Sequence, residues 1–313
     1  MSHFNWRSLI LKRVIFMGTP KYAREILDAL IKDRDIEVLF VITQPDRAVG
    51  RKRRVTPSEV KVLALESGIE VIQPESLKDK DIYKKILLAN PDLIIVSAFG
   101  QLLPESILNI APSINLHASL LPKYRGASPI QQAILNGDEF TGVTAMLMDK
   151  GLDSGDILAY KFLKIGDNIL LPELTDELTK LASLLTIETV KKFDTINPIP
   201  QTRAISTHCK KIKREDGLVD FSDALTLYRK YRAFYSWPDI FLRSGLKLLD
   251  IRLLDRDSKN RAGEILEIKR DSIIVGCESG KVEIFKLQPK SKRAMSAKAY
   301  CIGRRVAIGD NLF

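Results

Sequence analysis

The sequence predicts an α/β chain: a mainly parallel, Rossmann-like sheet domain followed by a small β-barrel of the oligonucleotide-binding (OB-like) kind. Three observations lead there. Over the first two thirds, short apolar runs alternate with apolar residues at helical spacing, the pattern of strands joined by helices. Asn197-Pro198-Ile199-Pro200 interrupts that pattern, and short alternating runs separated by charged or glycine-containing turns follow it. The charge changes at the same place. Of 49 Lys+Arg and 39 Asp+Glu, the stretch from His208 to Phe313 holds 23 and 14, a net +9, which leaves +1 for everything before it. The expected division is therefore a sheet domain over 1–196, a linker over 197–207 and a basic domain over 208–313.

The elements follow in order. Arg13 to Met17 is a compact apolar run, read as a buried strand. Thr19 is placed to cap a helix whose first position is Pro20, where a missing N–H costs nothing. Tyr22, Ile26, Leu27, Leu30 and Ile31 then recur at helical spacing. Glu37 to Ile42 is the next strand, and Thr56-Pro57-Ser58-Glu59 reads as a capping box for a helix continued by Val60, Leu63 and Ala64. Leu93 to Val96, Ser113 to His117 and Thr144 to Met148 read as further strands, and Leu171 to Phe193 as a long helix. Ligands of such a sheet sit beyond the carboxyl ends of its strands. Past the linker, Ser222 to Tyr235 looks helical and ends at Trp237-Pro238. The strand-like runs after it are Leu248 to Leu253, Gly263 to Ile268, Ser272 to Val275 and Val282 to Leu287.

Composition narrows the function. No apolar run approaches a membrane span, and Met1 to Leu11 carries only the short patch Leu9 to Leu11 without a cleavage site, so it reads as a short extension. Cys209, Cys277 and Cys301 are far apart and form no metal-binding pair, which fits a reducing, cytoplasmic setting. A basic module on a neutral one suggests a polyanionic partner such as nucleic acid; a merely soluble basic surface is the plainer alternative.

Chemistry concentrates in Asn115-Leu116-His117-Ala118-Ser119-Leu120-Leu121-Pro122-Lys123-Tyr124-Arg125-Gly126. Asn115 and His117 are two residues apart at a strand end, so their side chains point the same way. Downstream, Gly151-Leu152-Asp153-Ser154-Gly155-Asp156 brackets a carboxylate with two glycines that permit a tight loop. An amide, an imidazole and a carboxylate together suit acyl transfer through a tetrahedral intermediate. Each signal is weak alone: a lone histidine is usually structural, and an asparagine at a strand end is often a turn former.

Taken together, these two segments resemble the signature of folate-dependent formyltransferases. Further stretches are similar to the branch that acts on methionyl-tRNA: Phe16-Met17-Gly18-Thr19-Pro20, Gln44-Pro45-Asp46-Arg47 with Gly50-Arg51, Pro57 and Val60-Lys61, Ala127-Ser128-Pro129-Ile130, and Phe221 through Trp237-Pro238. The resemblance covers nearly the whole chain and is weaker beyond Gly263. It implies transfer of the formyl group of 10-formyltetrahydrofolate to the amino group of initiator methionyl-tRNA, for translation initiation. The folate cosubstrate would lie beside Ser119, Leu120, Leu121 and Pro122, with Ala98 to Leu103 as another wall. Asn115 would donate to the formyl oxygen. His117 would stabilise the oxyanion and act as general acid, and Asp153 would orient and charge His117 and move protons through water. No metal, membrane or obligate protein partner is implied, and the Leu121–Pro122 bond is expected to be cis. The loop carrying Arg47, Arg51, Lys52, Arg53 and Arg54 against the single acid Asp46 would meet the acceptor end of the tRNA, with Arg51 foremost. Val49 and the extra arginines depart from the family's usual loop. The family's lysine-rich stretch has an altered counterpart in Cys209-Lys210-Lys211-Ile212-Lys213-Arg214-Glu215, and the basic segment Lys281 to Arg305 reads as a phosphate-backbone surface.

Three other readings compete. A formyltransferase for a small amine lacks a reason for the basic domain. A dinucleotide-dependent dehydrogenase needs Gly-x-Gly-x-x-Gly where the sequence has Met17-Gly18-Thr19-Pro20-Lys21-Tyr22. A non-catalytic RNA-binding protein has no need of an intact Asn115, His117 and Asp153.

Overall fold

The apolar runs of the first two thirds become the interior of one sheet. The structure, a computed structural model, describes residues 11–49 and 54–312. Its strands in chain order are β1 Lys12–Gly18, β2 Ile36–Ile42, the hairpin pair β3 Arg47–Val49 and β4 Arg54–Thr56, and β5 Val71–Ile72. They continue with β6 Leu93–Ser97, β7 Ser113–His117, the short β8 Arg125–Gly126, β9 Phe140–Leu147 and β10 Ile157–Lys164. Seven of these form a sheet in the order β10-β9-β7-β6-β1-β2-β5. β1 runs parallel to β2 and β6, β2 to β5 and β6 to β7, whereas β9 is antiparallel to β7. Val14 to Met17 and Leu93 to Val96 are buried throughout, as strands covered on both faces must be. β1 is central, with successive strands added first on one side and then on the other. The order therefore reverses between β1 and β6, and Gly18, Ser97 and His117 end their strands at the carboxyl edge, where ligands of such sheets bind. Two side chains tie that edge together: Thr19 Oγ1 and Gln44 Nε2 donate to the Phe99 carbonyl at 3.3 and 3.1 Å.

The first helices are α1 Lys21–Lys32, α2 Glu59–Glu66, α3 Lys80–Ala89, α4 Glu105–Leu108, α5 Pro129–Asn136 and α6 Leu171–Lys192. α1 buries Ala23, Ile26, Leu27 and Leu30, the expected stripe. Two expected caps differ. Thr19 bonds Phe99 instead of capping, and α1 starts after Pro20 without a side-chain cap. Ser58, not Thr56, caps α2 by accepting the Lys61 N–H, because Thr56 pairs with Arg47 in the hairpin. β10 was not anticipated. Its large residues Tyr160 and Phe162 face outward in an edge-to-face pair, so its pattern lacks the usual apolar-in alternation.

The later elements are β11 His208–Cys209, α7 Ala224–Ala233, β12 Ile240–Phe241, β13 Lys247–Asp255, β14 Ile265–Ile268, β15 Ile273–Gly276, β16 Lys281–Gln288, β17 Met295–Ser296 and α8 Ala297–Arg304. The strands from β12 onward build an antiparallel sheet in the order β12-β13-β16-β15-β14, with β17 on β16, around Phe221, Phe234, Leu248, Ile265, Val275 and Leu287. Two compact units result. One takes in the chain up to Gly126 with Thr141–Leu163 and Thr175–His208; the other groups Ala127–Phe140 and Lys164–Leu174 with Cys209–Phe313. Within the second unit the buried Arg232 ties Lys164–Leu174 to α7: Nε and Nη2 donate to the carbonyls of Ile169 and Gly166, both at 3.0 Å. Tyr228 adds a bond from its hydroxyl to Asn168 at 2.9 Å.

All three cysteines are buried free thiols, and burial pushes the Cys277 thiol up to about 12, which leaves it unreactive. Among the described residues no helix is long and apolar enough to cross a membrane, and no cluster of metal-ligating side chains occurs.

The turn after β13 has a pH signature. The Asp255 carboxylate accepts the N–H groups of Ser258 at 3.0 Å and Asp257 at 2.7 Å, and these bonds hold its pKa at about 2. A carboxyl depressed by folding stabilises the fold above its unfolded pKa, and that contribution is lost as pH falls through the folded value. Asp255→Asn should therefore lower stability at neutral pH and flatten acid unfolding between roughly pH 4 and pH 2. A variant whose acid-unfolding curve runs parallel to wild type over that window contradicts the assignment.

Candidate active site

The strand end of β7 carries Asn115 and His117 on one face, and the loop between β9 and β10 brings Asp153 to them. Asp153 Oδ1 accepts from Asn115 Nδ2 at 3.3 Å, and Oδ2 accepts the Gly126 N–H at 2.7 Å. The same Oδ2 lies 3.6 Å from His117 Nδ1, an ion-pair distance and too long for a hydrogen bond. The other ring nitrogen, Nε2, is 2.9 Å from the Tyr124 carbonyl. The two ring nitrogens thus face two oxygens, one on each side of the ring. The pair is shielded from water: the side chains are 6% and 13% exposed.

The loop explains how a carboxylate is presented there. Asp153 itself, not a flanking glycine, adopts the left-handed conformation, with φ 51°, which aspartate tolerates better than most residues. Gly155 is needed for closeness instead, since a Cβ there would overlap the Leu147 carbonyl. Asp149 closes the loop, accepting the Gly151 N–H at 2.8 Å and the Ser154 hydroxyl at 2.9 Å.

The segment after His117 is held by side-chain bonds to its main chain. Ser119 is buried and donates its hydroxyl to the Lys123 carbonyl at 2.6 Å. Thr144 Oγ1 donates to the Ser119 carbonyl at 2.6 Å and accepts the Leu121 N–H at 3.0 Å. The Leu121–Pro122 peptide is cis, as expected, and Trp237–Pro238 is a second cis bond. Leu120 and Pro122 are half-buried, while Leu121 packs with Met146 and Ile157. On the other expected wall Ala98 is exposed, but Leu103 belongs to the sheet core, and its neighbour Leu102 is the exposed leucine.

The basic loop is partly described. Arg47 and Arg54 lie exposed on the β3–β4 hairpin, and Arg47 Nη2 donates to Gln44 Oε1 at 3.3 Å. Arg51, Lys52 and Arg53 lie outside the described residues. Asp46 braces the hairpin base: Lys61 Nζ and Gln73 Nε2 each reach its carboxylate at 2.7 Å and hold its pKa below the usual carboxylate range. Lys210, Lys211, Lys213 and Arg214 are exposed in the second unit.

Sequence reasoning missed Thr144, Thr207 and Gln201. Thr207 Oγ1 accepts the Tyr124 N–H at 2.9 Å, and Gln201 bonds the Asp153 loop. No local pattern marks either residue.

Comparison with known proteins gives two family matches: formyl transferase over residues 12–190, and the formyl transferase C-terminal domain over residues 211–305. The methionyl-tRNA formyltransferase of Sulfurovum sp. (strain NBC37-1) is 53% identical over 300 residues, spanning 96% of this chain and 99% of that protein. Among solved structures, a variant of HypX from Aquifex aeolicus aligns with 96% of this chain at TM-score 0.64 and 18% identity; the chain spans about half (49%) of that protein. The N-formyltransferase of Helicobacter canadensis, solved with folinic acid and dTDP-3-aminofucose, aligns at TM-score 0.65 and 18% identity over 89% of this chain and 100% of that one. These two likenesses concern the fold alone.

The close approach at Gly155 is testable. Gly155→Ala forces the loop outward, at about 1–3 kcal/mol for an overpacked site. It should lower the unfolding midpoint and release the Asp153 bond to Gly126, so that the Gly126 amide loses protection from hydrogen exchange. Unchanged Gly126 protection in the variant contradicts the role given to this glycine.

Proposed function

The chain belongs to the formyl transferase family, and from that premise we propose that Asn115, His117 and Asp153 carry a formyl group from 10-formyltetrahydrofolate to the amino group of methionyl-tRNA. The observation that carries the proposal is the Asp153 carboxylate bonded to the Asn115 amide and facing His117 at the carboxyl edge of the parallel sheet. A full-length relative of that activity at 53% identity and the +9 charge of the last 106 residues, His208 to Phe313, support the acceptor. Exposed Lys210, Lys211 and Lys213 supply phosphate contacts of the salt-sensitive kind. The buried free thiols accord with a cytoplasmic setting.

The chemistry follows from the donor set. Asn115 gives one amide N–H to Asp153, and its second is left for the formyl oxygen. The neutral methionyl amine, available near pH 7 because α-amino groups titrate at about 7.7–8.0, attacks the formyl carbon. A C–N bond forms and the carbonyl oxygen becomes an oxyanion, stabilised by Asn115 and by the positive charge of His117. As the bond to the folate nitrogen breaks, His117 delivers a proton to that nitrogen. Asp153 receives the proton lost by the attacking amine through water and returns it to His117 Nδ1 once the 3.6 Å gap closes to hydrogen-bond distance. Ser119, Leu120, Leu121, Pro122 and the Ala98 edge form the folate side of this arrangement. Arg47, Arg54 and the undescribed Arg51, Lys52 and Arg53 are assigned to the acceptor end of the tRNA.

Labelled 10-formyltetrahydrofolate should formylate charged initiator tRNA and leave a nucleotide-linked amino sugar untouched. His117→Ala should reduce turnover by roughly 10²–10⁴ with folate affinity nearly unchanged. Formylation of the amino sugar alone contradicts the acceptor, and near-normal turnover in folded His117→Ala contradicts the site.

A further inference from the structure

The stretch 197–207, which sequence alone marks as a linker, reaches both sides of His117. Ile199 first pairs with Ile157, N–H to carbonyl in each direction at 2.8 and 2.9 Å. Gln201 follows with a fully used amide. Its Nε2 donates to the main-chain carbonyls of Asp153 at 3.0 Å and Gly155 at 2.7 Å. Its Oε1 accepts from Nε and Nη2 of the buried Arg125 at 3.0 and 2.7 Å. Six residues on, Thr207 accepts the Tyr124 N–H with its hydroxyl and the Arg125 N–H with its carbonyl, both at 2.9 Å. One short segment therefore fixes the carboxylate loop facing Nδ1 and the turn whose carbonyl faces Nε2.

We propose that Gln201 is a positioning residue for formyl transfer, acting through Asp153; this rests on the reading of Asn115, His117 and Asp153 given above. The chemistry of the position demands an amide. Only a group that donates twice and accepts twice satisfies two carbonyls on one side and a guanidinium on the other. Gln201 holds the main chain at Asp153 and Gly155, on either side of Ser154, and so holds the Asp153 carboxylate at its 2.7 Å bond to Gly126. Glutamate at 201 would keep the Arg125 contact, as an ion pair, but would turn an oxygen toward the two loop carbonyls and push the loop away. Alanine would release both. Either change misplaces a catalytic group without touching substrate, which penalises the transition state more than binding.

The test is a mutant cycle read by steady-state kinetics and by the His117 ring resonances of the substrate-free protein. Gln201→Ala and Gln201→Glu should each lower kcat by about 10–100-fold, with KM for tRNA and folate within about two-fold, as expected of misalignment. In an Asp153→Asn background the same changes should cost less than about two-fold, because residues acting through one another are not additive. The His117 ring resonances should shift in both variants. Losses that add fully to those of Asp153→Asn, a change confined to KM, or unmoved His117 resonances would overturn the proposal. So would unfolding of both variants, which makes the residue structural only. If wild-type protein does not formylate charged tRNA, the functional reading fails, while the His117 resonances still report whether Gln201 sets the imidazole environment.

Discussion

The Asp153 carboxylate is where separate stretches of the chain are held to one another. Its oxygens meet the amide of Asn115 and the N–H of Gly126, which lie 38 and 27 residues away in sequence, and one of them faces His117. A carboxylate so engaged and so shielded from water interacts more strongly than one in solvent, because the local dielectric is low. The same shielding makes alignment critical, since a charge displaced from its partners in that setting has little water to compensate. Much of the surrounding structure supports this single position: the left-handed turn at Asp153, the close approach at Gly155, the Asp149 brace and the Gln201 amide.

The sheet supplies the other half of the arrangement. Parallel pairing of β6 and β7 places Asn115 beside Val96, so the amide and imidazole emerge at the carboxyl edge of the sheet, one strand from where the order reverses. β9 pairs antiparallel to β7, setting His117 opposite Thr144. Thr144 in turn fixes the Ser119 and Leu121 main chain. The strand end that carries Asn115 and His117 and the cis Leu121–Pro122 turn are thereby tied to the same neighbouring strand.

What could be read in advance was what short-range pattern encodes. Residues two apart on a strand share a face, so Asn115 and His117 were legible together, and the continuous apolar runs of β1 and β6 announced buried parallel strands. The loop around Asp153 was legible as a tight turn, but not the assignment of its left-handed residue, which falls on Asp153 while Gly155 answers a steric need. Ser58 and Thr56 offer equivalent hydroxyls to a capping argument; hairpin pairing of Thr56 decides between them, and that pairing is tertiary. Leu103 is a wall residue by family resemblance, and its side chain packs in the buried cluster of the sheet core. Gln201 and Thr207 were invisible because their bonds reach 46 to 83 residues back along the chain, behind two prolines in a segment without periodicity. The bonds between Lys164–Leu174 and α7 likewise run through Arg232, whose partners are backbone carbonyls about 65 residues away.

The central claim is that one carboxylate aligns and charges the imidazole for formyl transfer. Asp153→Asn probes it at nearly constant size: the amide retains an oxygen to accept the Gly126 N–H, carries no charge, and turns its nitrogen to the Asn115 amide, which must rotate to accept. The direct measurement is single-turnover formylation of charged initiator tRNA at saturating 10-formyltetrahydrofolate, with folding checked by thermal unfolding. The account predicts a fall in the transfer rate of roughly 10²–10⁴ at unchanged substrate affinity, the range for loss of a proton-transfer group. Transfer at the wild-type rate by a folded Asp153→Asn protein would contradict it.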